Sequence, residues 1–196
     1  MGKDTKEKIL MKALELFSQQ GYEGTNINEL MESLGLVKSA MYRHFESKEA
    51  IWNTRLDRLI VYYEERFGSP EHLPPVPESQ VELLAMTMRM VNFTVHDETV
   101  VMTRKLLTIE QFRDERVRKL ATKHFLTGLT EMFTHVFSGM MEKGLIRRDD
   151  PALLAFSYTA PISVLIHLCD REPEKTDEAL ARIEEFARHF IRTYGG

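Results

Sequence analysis

Cysteine is almost absent from this chain, which has Cys169 alone among its 196 residues. A single thiol excludes an internal disulfide and carries no information about the compartment. The sequence also lacks H-E-x-x-H, a pair of E-x-x-H motifs, a P-loop and G-x-G-x-x-G. These motifs are the usual local signals for metals and nucleotide cofactors, so we expect no metal site, no cofactor and no enzyme activity.

Strand-like alternation and long apolar runs are missing as well. Hydrophobic residues make up 43% of the chain and recur at helical spacing, which predicts an all-α fold. No apolar run reaches the roughly 18 residues of a membrane span, and the N-terminus has no signal-peptide core. We therefore expect a cytoplasmic protein with no membrane partner.

Positive charge is not in excess, because the net charge of the chain is −4. The first 52 residues carry seven Lys and Arg against eight Asp and Glu. This balance excludes a protein that coats nucleic acid nonspecifically. Any DNA contact has to come from the placement of a few basic side chains, such as Lys38, Arg43 and Lys48.

The most informative stretch runs from Asn26 to Lys48 and reads as two short helices joined by a glycine turn. Asn26 is a good N-cap, and Gly35 supplies the left-handed backbone that ends a helix abruptly. In the second helix, about Val37 to His44, an inward Met41 leaves basic and aromatic side chains facing outward. This arrangement is a helix-turn-helix, whose second helix fits the major groove of DNA.

The same residues carry a family resemblance. G-Y-x-x-T from Gly21, and G-L-V-K-S-A-M-Y-R-H-F-x-S-K-E from Gly35, resemble the DNA-binding domain of the tetracycline-repressor (TetR) family. The run I-L-M-K-A-L-E-L-F upstream resembles the family's first helix, so the likeness covers about residues 5 to 52. Val37 departs from the family's usual Ser or Thr, which removes a side-chain N-cap from the second helix. Met31 stands where the family usually has Ala.

The resemblance implies a DNA-binding regulator, expected to be a repressor, that binds a palindromic double-stranded operator as a homodimer and is released by a small-molecule effector of unknown identity. It implies a helix-turn-helix domain over residues 1–52 (motif about 25–44), a connecting helix over 48–67, and an effector-binding and dimerisation domain over 68–196. The proline-rich stretch from Gly68 to Pro77 is the expected boundary. The predicted DNA contacts are Thr25, Asn26, Lys38, Ser39, Ala40, Tyr42, Arg43, His44 and Lys48.

The larger predicted domain interleaves methionine with phenylalanine, and methionine adapts to varied ligands. The residues alone favour a well-filled helical core, whereas the resemblance implies a small-molecule site between the helices. The predicted effector contacts are Met86, Met90, Asn92, Phe93, His96, His124, Met132, His135, Tyr158 and His167.

The last two predicted helices begin at Asp150-Pro151 and at Thr176, and carry small residues and an apolar stripe. The family pairs these helices across a two-fold axis, although in a monomer part of the stripe would be core. The predicted interface residues are Ala152, Ala155, Ala160, Ser163, Ile183, Phe186, Phe190 and Tyr194. The rival interpretations are a helical enzyme and a protein-interaction module with a vestigial helix-turn-helix.

Overall fold

The structure is a computed structural model that describes residues 2–67 and 73–196. Within these ranges there is no β-strand, only an isolated bridge between Ile146 and Gly195. The prediction of an all-α fold is therefore confirmed. Residues 68–72 of the predicted proline-rich loop lie outside the described ranges, and residues 73–79 form no regular element.

The described chain contains ten α-helices in the following order: α1 Gly2–Gly24, α2 Ile27–Ser33, α3 Lys38–Tyr42, α4 Lys48–Phe67, α5 Gln80–His96, α6 Glu98–Glu110, α7 Glu115–Thr122, α8 Gly128–Glu142, α9 Pro151–Arg171 and α10 Thr176–Tyr194. A π-helical turn, Lys123–Thr127, joins α7 to α8, and a 3-10 turn, Pro173–Lys175, precedes α10.

Several helix ends follow local signals in the sequence. Asp150 Oδ1 accepts the N–H of Ala152 at 2.9 Å and caps α9, with Pro151 in its first turn. Gly144, with φ of 69°, follows α8 in the left-handed conformation. These ends form as the sequence predicts because each depends on residues only a few positions apart.

The helices divide into two compact units. The first unit consists of Met1–Arg66 with Met102–Ala121, and the second of Phe67–Val101 with Thr122–Gly196. The first unit therefore includes most of α6 and α7, which the sequence analysis placed in the larger domain. The division into a DNA-binding and an effector-binding domain by function stays a prediction.

Each unit has its own aromatic core. In the first unit, the ring centroids of Phe17 and Trp52 lie 5.1 Å apart, edge to face. In the second unit, Tyr158 has no exposed surface and packs against Phe133, Phe137 and Phe190, at centroid distances of 5.1, 5.5 and 4.7 Å. Aromatic pairs at these separations add to the free energy gained from area burial.

Helix α9 is long and apolar enough, by length and composition, to cross a membrane, although 39% of that window is buried inside the second unit. This corrects the expectation that no segment reaches membrane length. An apolar core helix has the same length and composition.

Candidate DNA-binding surface

The turn between α2 and α3 is built as the sequence predicts. Asn26 Oδ1 accepts the N–H of Asn28 at 2.7 Å and caps α2, which confirms the predicted N-cap. Gly35 adopts φ of 65°, so the chain leaves α2 in the left-handed conformation. Leu30 and Met41 have no exposed surface. Burial of Met41 against the first unit fixes which face of α3 points outward.

The outward face of α3 is polar and aromatic. Lys38, Ser39, Tyr42 and Arg43 are exposed, and Tyr42 keeps 54% of its surface. Ala40 and His44 are half-buried along the edges of this face. Donors and an aromatic ring on one exposed side of a short helix are the groups that contact bases and phosphates in a major groove.

Val37 occupies the N-cap position of α3 with extended backbone, φ −85° and ψ 151°, and makes no side-chain cap. Its side chain is 68% exposed. The first N–H groups of α3 therefore receive no hydrogen bond from the capping side chain, as the sequence analysis expected from the replacement of Ser or Thr.

Thr25 is not available to DNA, which corrects its prediction as a contact. Its side chain is buried, with 2% of its surface exposed, and its hydroxyl donates to the carbonyl of Gly21 at 2.8 Å. A hydroxyl four residues after a carbonyl is well placed for this local bond, which competes with any outside partner.

Lys48 also turns inward. Its ammonium donates to the carbonyls of Tyr22 at 2.8 Å and Thr25 at 3.1 Å, and lies 4.3 Å from the centroid of the Tyr22 ring. Two of the three ammonium protons are thereby engaged inside the first unit. The predicted role of Lys48 as a phosphate contact has no support from this geometry, which gives it a structural role instead.

The sequence analysis missed two acidic residues that hold this region. Glu110 Oε1, at the end of α6, accepts the N–H of Tyr22 at 2.9 Å. Asp114 Oδ2, which precedes α7, accepts from the indole N–H of Trp52 at 3.2 Å. These partners are 88 and 62 residues apart along the chain, so no local pattern could have paired them. Burial, with Glu49 and Glu23 nearby, raises the pKa of Tyr22.

Comparison with known proteins agrees with this geometry. Residues 9–53 match the family described as "Bacterial regulatory proteins, tetR family". This stretch of the chain is similar to the tetR family. The negative transcriptional regulator IcaR of the icaADBC biofilm operon, from Staphylococcus epidermidis, is 33% identical over 58 residues. That alignment covers 30% of this chain and 31% of IcaR, so the chain matches less than a third of its curated relative.

Solved structures of transcriptional regulators share the fold over nearly the whole chain. SmeT, the repressor of the Stenotrophomonas maltophilia efflux pump SmeDEF, has a TM-score of 0.64 at 19% identity, covering 97% of this chain and 90% of SmeT. SmeT in complex with triclosan gives 0.66 at 20% identity, covering 98% and 92%. A putative regulator from Saccharomonospora viridis in complex with choline gives 0.69 at 16% identity, covering 99% of each chain.

In the second unit, three predicted effector contacts do not face a shared site. Asn92 and His96 are exposed on α5, where Asn92 Nδ2 donates to the carbonyl of Met88 at 2.8 Å and His96 Nδ1 lies 2.9 Å from the carbonyl of Asn92. Tyr158 belongs to the packed core instead, because its hydroxyl lies 2.8 Å from Thr87 Oγ1 and it has no exposed surface.

The remaining predicted effector contacts stay within the unit. Met132 is buried, whereas Met86, Met90, Phe93 and His135 are half-buried. The rings of His124 and His167 both lie near that of Phe125, at centroid distances of 5.2 and 4.9 Å. His124 and Phe125 lie in the π-helical turn, a local feature that is frequent at functional sites. The described residues contain no group of three or more His, Cys, Asp or Glu that could hold a metal ion.

The predicted dimer interface is partly core. Ala155 and Ile183 have no exposed surface, and Phe190 keeps 4%, because these side chains pack inside the second unit. They are therefore removed from the predicted interface. Phe186 and Tyr194 are only partly buried, and also pack against that core. Ala152 is exposed, and Ala160 and Ser163 are half-buried on α9.

An exposed apolar stripe on α9 was missed. Leu153, Phe156 and Val164 keep 58%, 51% and 68% of their surface, and Ala160 lies between the last two on the same face. Positions 153, 156, 160 and 164 are three or four apart, which places them along one side of the helix. The sequence signal was present, but α9 is apolar on more than one side, so periodicity alone could not separate the core face from the exposed one.

Proposed function

We propose that this protein is a transcriptional repressor that binds a two-fold symmetric DNA operator as a homodimer and is released when a small effector binds the second unit. The observation that carries the proposal is the outward face of α3, where Lys38, Ser39, Tyr42 and Arg43 are exposed while Met41 is buried. The name of IcaR, a negative transcriptional regulator, supports repression.

The proposed DNA contacts divide by chemistry. Arg43 is the candidate for base reading, since a guanidinium donates in pairs to the O6 and N7 atoms of guanine. Tyr42 and Lys38 are suited to phosphate oxygens, and Ser39 to either partner. Ala40, His44 and Asn26 lie at the edges of the surface. Lys48 holds the chain near Tyr22 in place of contacting phosphate.

The proposed dimer uses α9. Its stripe of Leu153, Phe156, Ala160 and Val164 is exposed and apolar, which is typical of an association surface. The outer face of α10, in contrast, carries ion pairs such as Arg182 with Glu178, at 3.1 Å. A second copy of this chain fits the stripe, because an isologous contact places the same apolar face on both sides. Two copies then present two reading helices about 34–36 Å apart, or a multiple of that distance.

The effector is the third part of the proposal. Complexes of SmeT with triclosan and of the Saccharomonospora viridis regulator with choline show that proteins of this fold hold small molecules. In this chain the candidate effector contacts offer apolar surface and a few polar atoms. The apolar ones are Met86, Met90, Phe93 and Met132, and the polar ones are His124 and His167 beside Phe125. Such a mixture is usual in small-molecule sites.

Selection of bound sequences from a random DNA pool tests the function. We expect a two-fold symmetric consensus from the parent chain. Arg43→Ala should relax the preference at one base pair in each half-site, at a cost of about 1–3 kcal/mol. Lys38→Ala should weaken all sequences alike and reduce the salt dependence, since fewer counterions are released. A pool that yields no consensus would rule out operator binding.

Light scattering tests the dimer. The triple substitution of Leu153, Phe156 and Val164 by Gln should give a folded monomer, since these side chains are mostly exposed in the chain itself. Val81→Gln is the matched control, because Val81 is 77% exposed on α5 and lies off the stripe. A triple variant that remained dimeric would show that the dimer interface does not lie on the α9 stripe.

A further inference from the structure

The main chain of Tyr22 is held from two sides. Its N–H donates to Glu110 Oε1 of α6 at 2.9 Å, and its carbonyl accepts from Lys48 Nζ of α4 at 2.8 Å. Its ring lies 5.1 Å from that of Trp52, whose indole N–H bonds Asp114 just before α7. Helices α4 and α6 thus both contact Tyr22, four positions ahead of the cap of α2.

The contact between Gly21 and α6 is close and leaves no room for a side chain at Gly21. A Cβ at Gly21 would lie 2.4 Å from Glu110 Oε1 and 3.2 Å from Ile109 Cγ2. Gly21 also adopts φ of 75°, which other residues rarely reach. Glu110 itself is buried, with 3% of its surface exposed, and Arg113 Nη1 lies 3.6 Å from its carboxylate. A charge-assisted bond of this kind is stronger than one between neutral groups.

The short segment after this contact, residues 21–25, leads directly into α2. The hydroxyl of Thr25 donates to Gly21, and Lys48 bonds the carbonyl of Thr25 as well as that of Tyr22. Residues 21–25 are therefore fixed internally, and Asn26 then caps α2. Within this segment the Glu110 carboxylate binds the N–H of Tyr22, so a displacement of that carboxylate acts on residues 21–25 through this bond.

We propose that Glu110 is a positioning residue, which transfers the position of α6 to residues 21–25 and so holds α2 and α3 in the orientation that a dimer needs. This inference rests on the proposed function, because it concerns two reading helices acting on one operator. Helix α6 suits the role, since it begins in the second unit at Glu98 and ends in the first at Glu110. A purely structural role would predict lost stability only.

The test measures the affinity of the full chain for a full operator and for a duplex with one half-site, both taken from the selected consensus. Glu110→Ala should lower the ratio of full-site to half-site affinity by roughly 10-fold, within the usual range of coupling between sites. The half-site affinity should hardly change. Without the Glu110 carboxylate, α2 and α3 have more orientational freedom, which they must lose when the second half-site binds. This entropy cost lowers the affinity for the full operator only. Glu110→Gln should restore the ratio, because its amide oxygen still accepts from Tyr22.

Two further variants keep the result decisive. Glu115→Ala removes an exposed glutamate from α7 of the same unit, and should leave the ratio unchanged. If Glu110→Ala fails to fold, Glu110→Asp keeps the charge but shortens the reach by one methylene and should also lower the ratio. A ratio equal to that of the parent, or a parallel fall in both affinities, would overturn the positioning role. A parent chain with no preference for the full site would instead overturn the proposed function, and this inference with it.

Discussion

The hydroxyl groups of Thr87 and Tyr158 lie 2.8 Å apart, although 71 residues separate them in the chain. Thr87 donates its own proton to the carbonyl of Leu83 at 2.9 Å, so the phenol of Tyr158 is the donor in the pair. Both side chains are buried, with 2% and 0% of their surface exposed. This bond links α5 to α9 through the core of the second unit.

The first prediction concerns this bond. Thr87→Val leaves a buried phenol without an acceptor and should destabilise the chain by about 1–3 kcal/mol, whereas Tyr158→Phe removes the donor and should cost about 1 kcal/mol. The double variant should lose less than the sum, because the two residues share one interaction. Chemical denaturation measures all three free energies, and strict additivity would show that the bond contributes nothing.

The same pair predicts a response to alkaline pH. Burial raises the pKa of Tyr158 to about 12, from 10 in the unfolded chain. Between these values the unfolded state loses the phenol proton while the folded state keeps it, so stability falls as pH rises from about 10 to 12. In Tyr158→Phe this part of the fall should be missing. Denaturation of parent and variant at a series of pH values gives the difference, and parallel curves would contradict the assignment.

A second prediction follows from Arg55 in α4. Arg55 as a whole residue is 6% exposed, and within the described part of the chain its Nε and Nη2 have no hydrogen-bond partner. Burial, with Arg58 nearby, lowers the pKa of Arg55 to about 10. At neutral pH the charged guanidinium therefore destabilises the folded state. Arg55→Met should raise the free energy of unfolding by about 1–3 kcal/mol, since apolar replacements of poorly compensated buried charges are often stabilising.

The matched control for Arg55 is Arg58→Met, because Arg58 forms a two-pronged ion pair with Glu7, with one of its bonds at 2.9 Å. That pair is partly exposed, so its loss should lower the free energy of unfolding by less than about 1 kcal/mol. Thermal melts of both variants separate the cases. A lower melting temperature for Arg55→Met than for Arg58→Met would mean that the buried guanidinium is compensated after all.

A third prediction concerns the uncapped start of α3. Val37 already has the extended backbone of an N-cap, and its side chain is 68% exposed. Val37→Thr should add a side-chain acceptor for the first turn and stabilise the chain by about 1 kcal/mol. Val81→Thr makes the same chemical change at an exposed position within α5 and should have almost no effect. Equal shifts in melting temperature for both variants would exclude the capping explanation.

The fourth prediction separates core from interface in the second unit. The Phe190 ring centroid lies 5.4 Å from that of Phe137 and 4.6 Å from that of Tyr194. Phe190→Ala should therefore destabilise the unit by about 3–5 kcal/mol, whereas Phe156→Ala, on the exposed stripe, should weaken dimerisation without unfolding the monomer. Circular dichroism melts at low and high protein concentration distinguish the two. A Phe190→Ala variant that melted like the parent at high concentration, and earlier than the parent only at low concentration, would reverse their roles.

Local signals in the sequence determined the helices and the helix-turn-helix. Asn26 and Asp150 cap helices through N–H groups two residues ahead, and Gly35 and Gly144 turn the chain by their own backbone freedom. These interactions reach only a few residues, so they can be read before the chain is folded. The outward face of α3 follows in the same way once Met41 is known to be buried.

Only the tertiary structure decided which polar groups have hydrogen-bond partners inside the chain and which apolar side chains are buried in its core. The sequence predicts Thr25 and Lys48 as DNA contacts. In the structure, the hydroxyl of Thr25 donates to the carbonyl of Gly21, and the ammonium of Lys48 donates to that of Tyr22. Phe190 suited an interface as well as a core, because periodicity shows that a face is apolar but not what covers it. Glu110 meets Tyr22 across 88 residues, and a contact of that range depends on the packing of whole helices rather than on any local pattern.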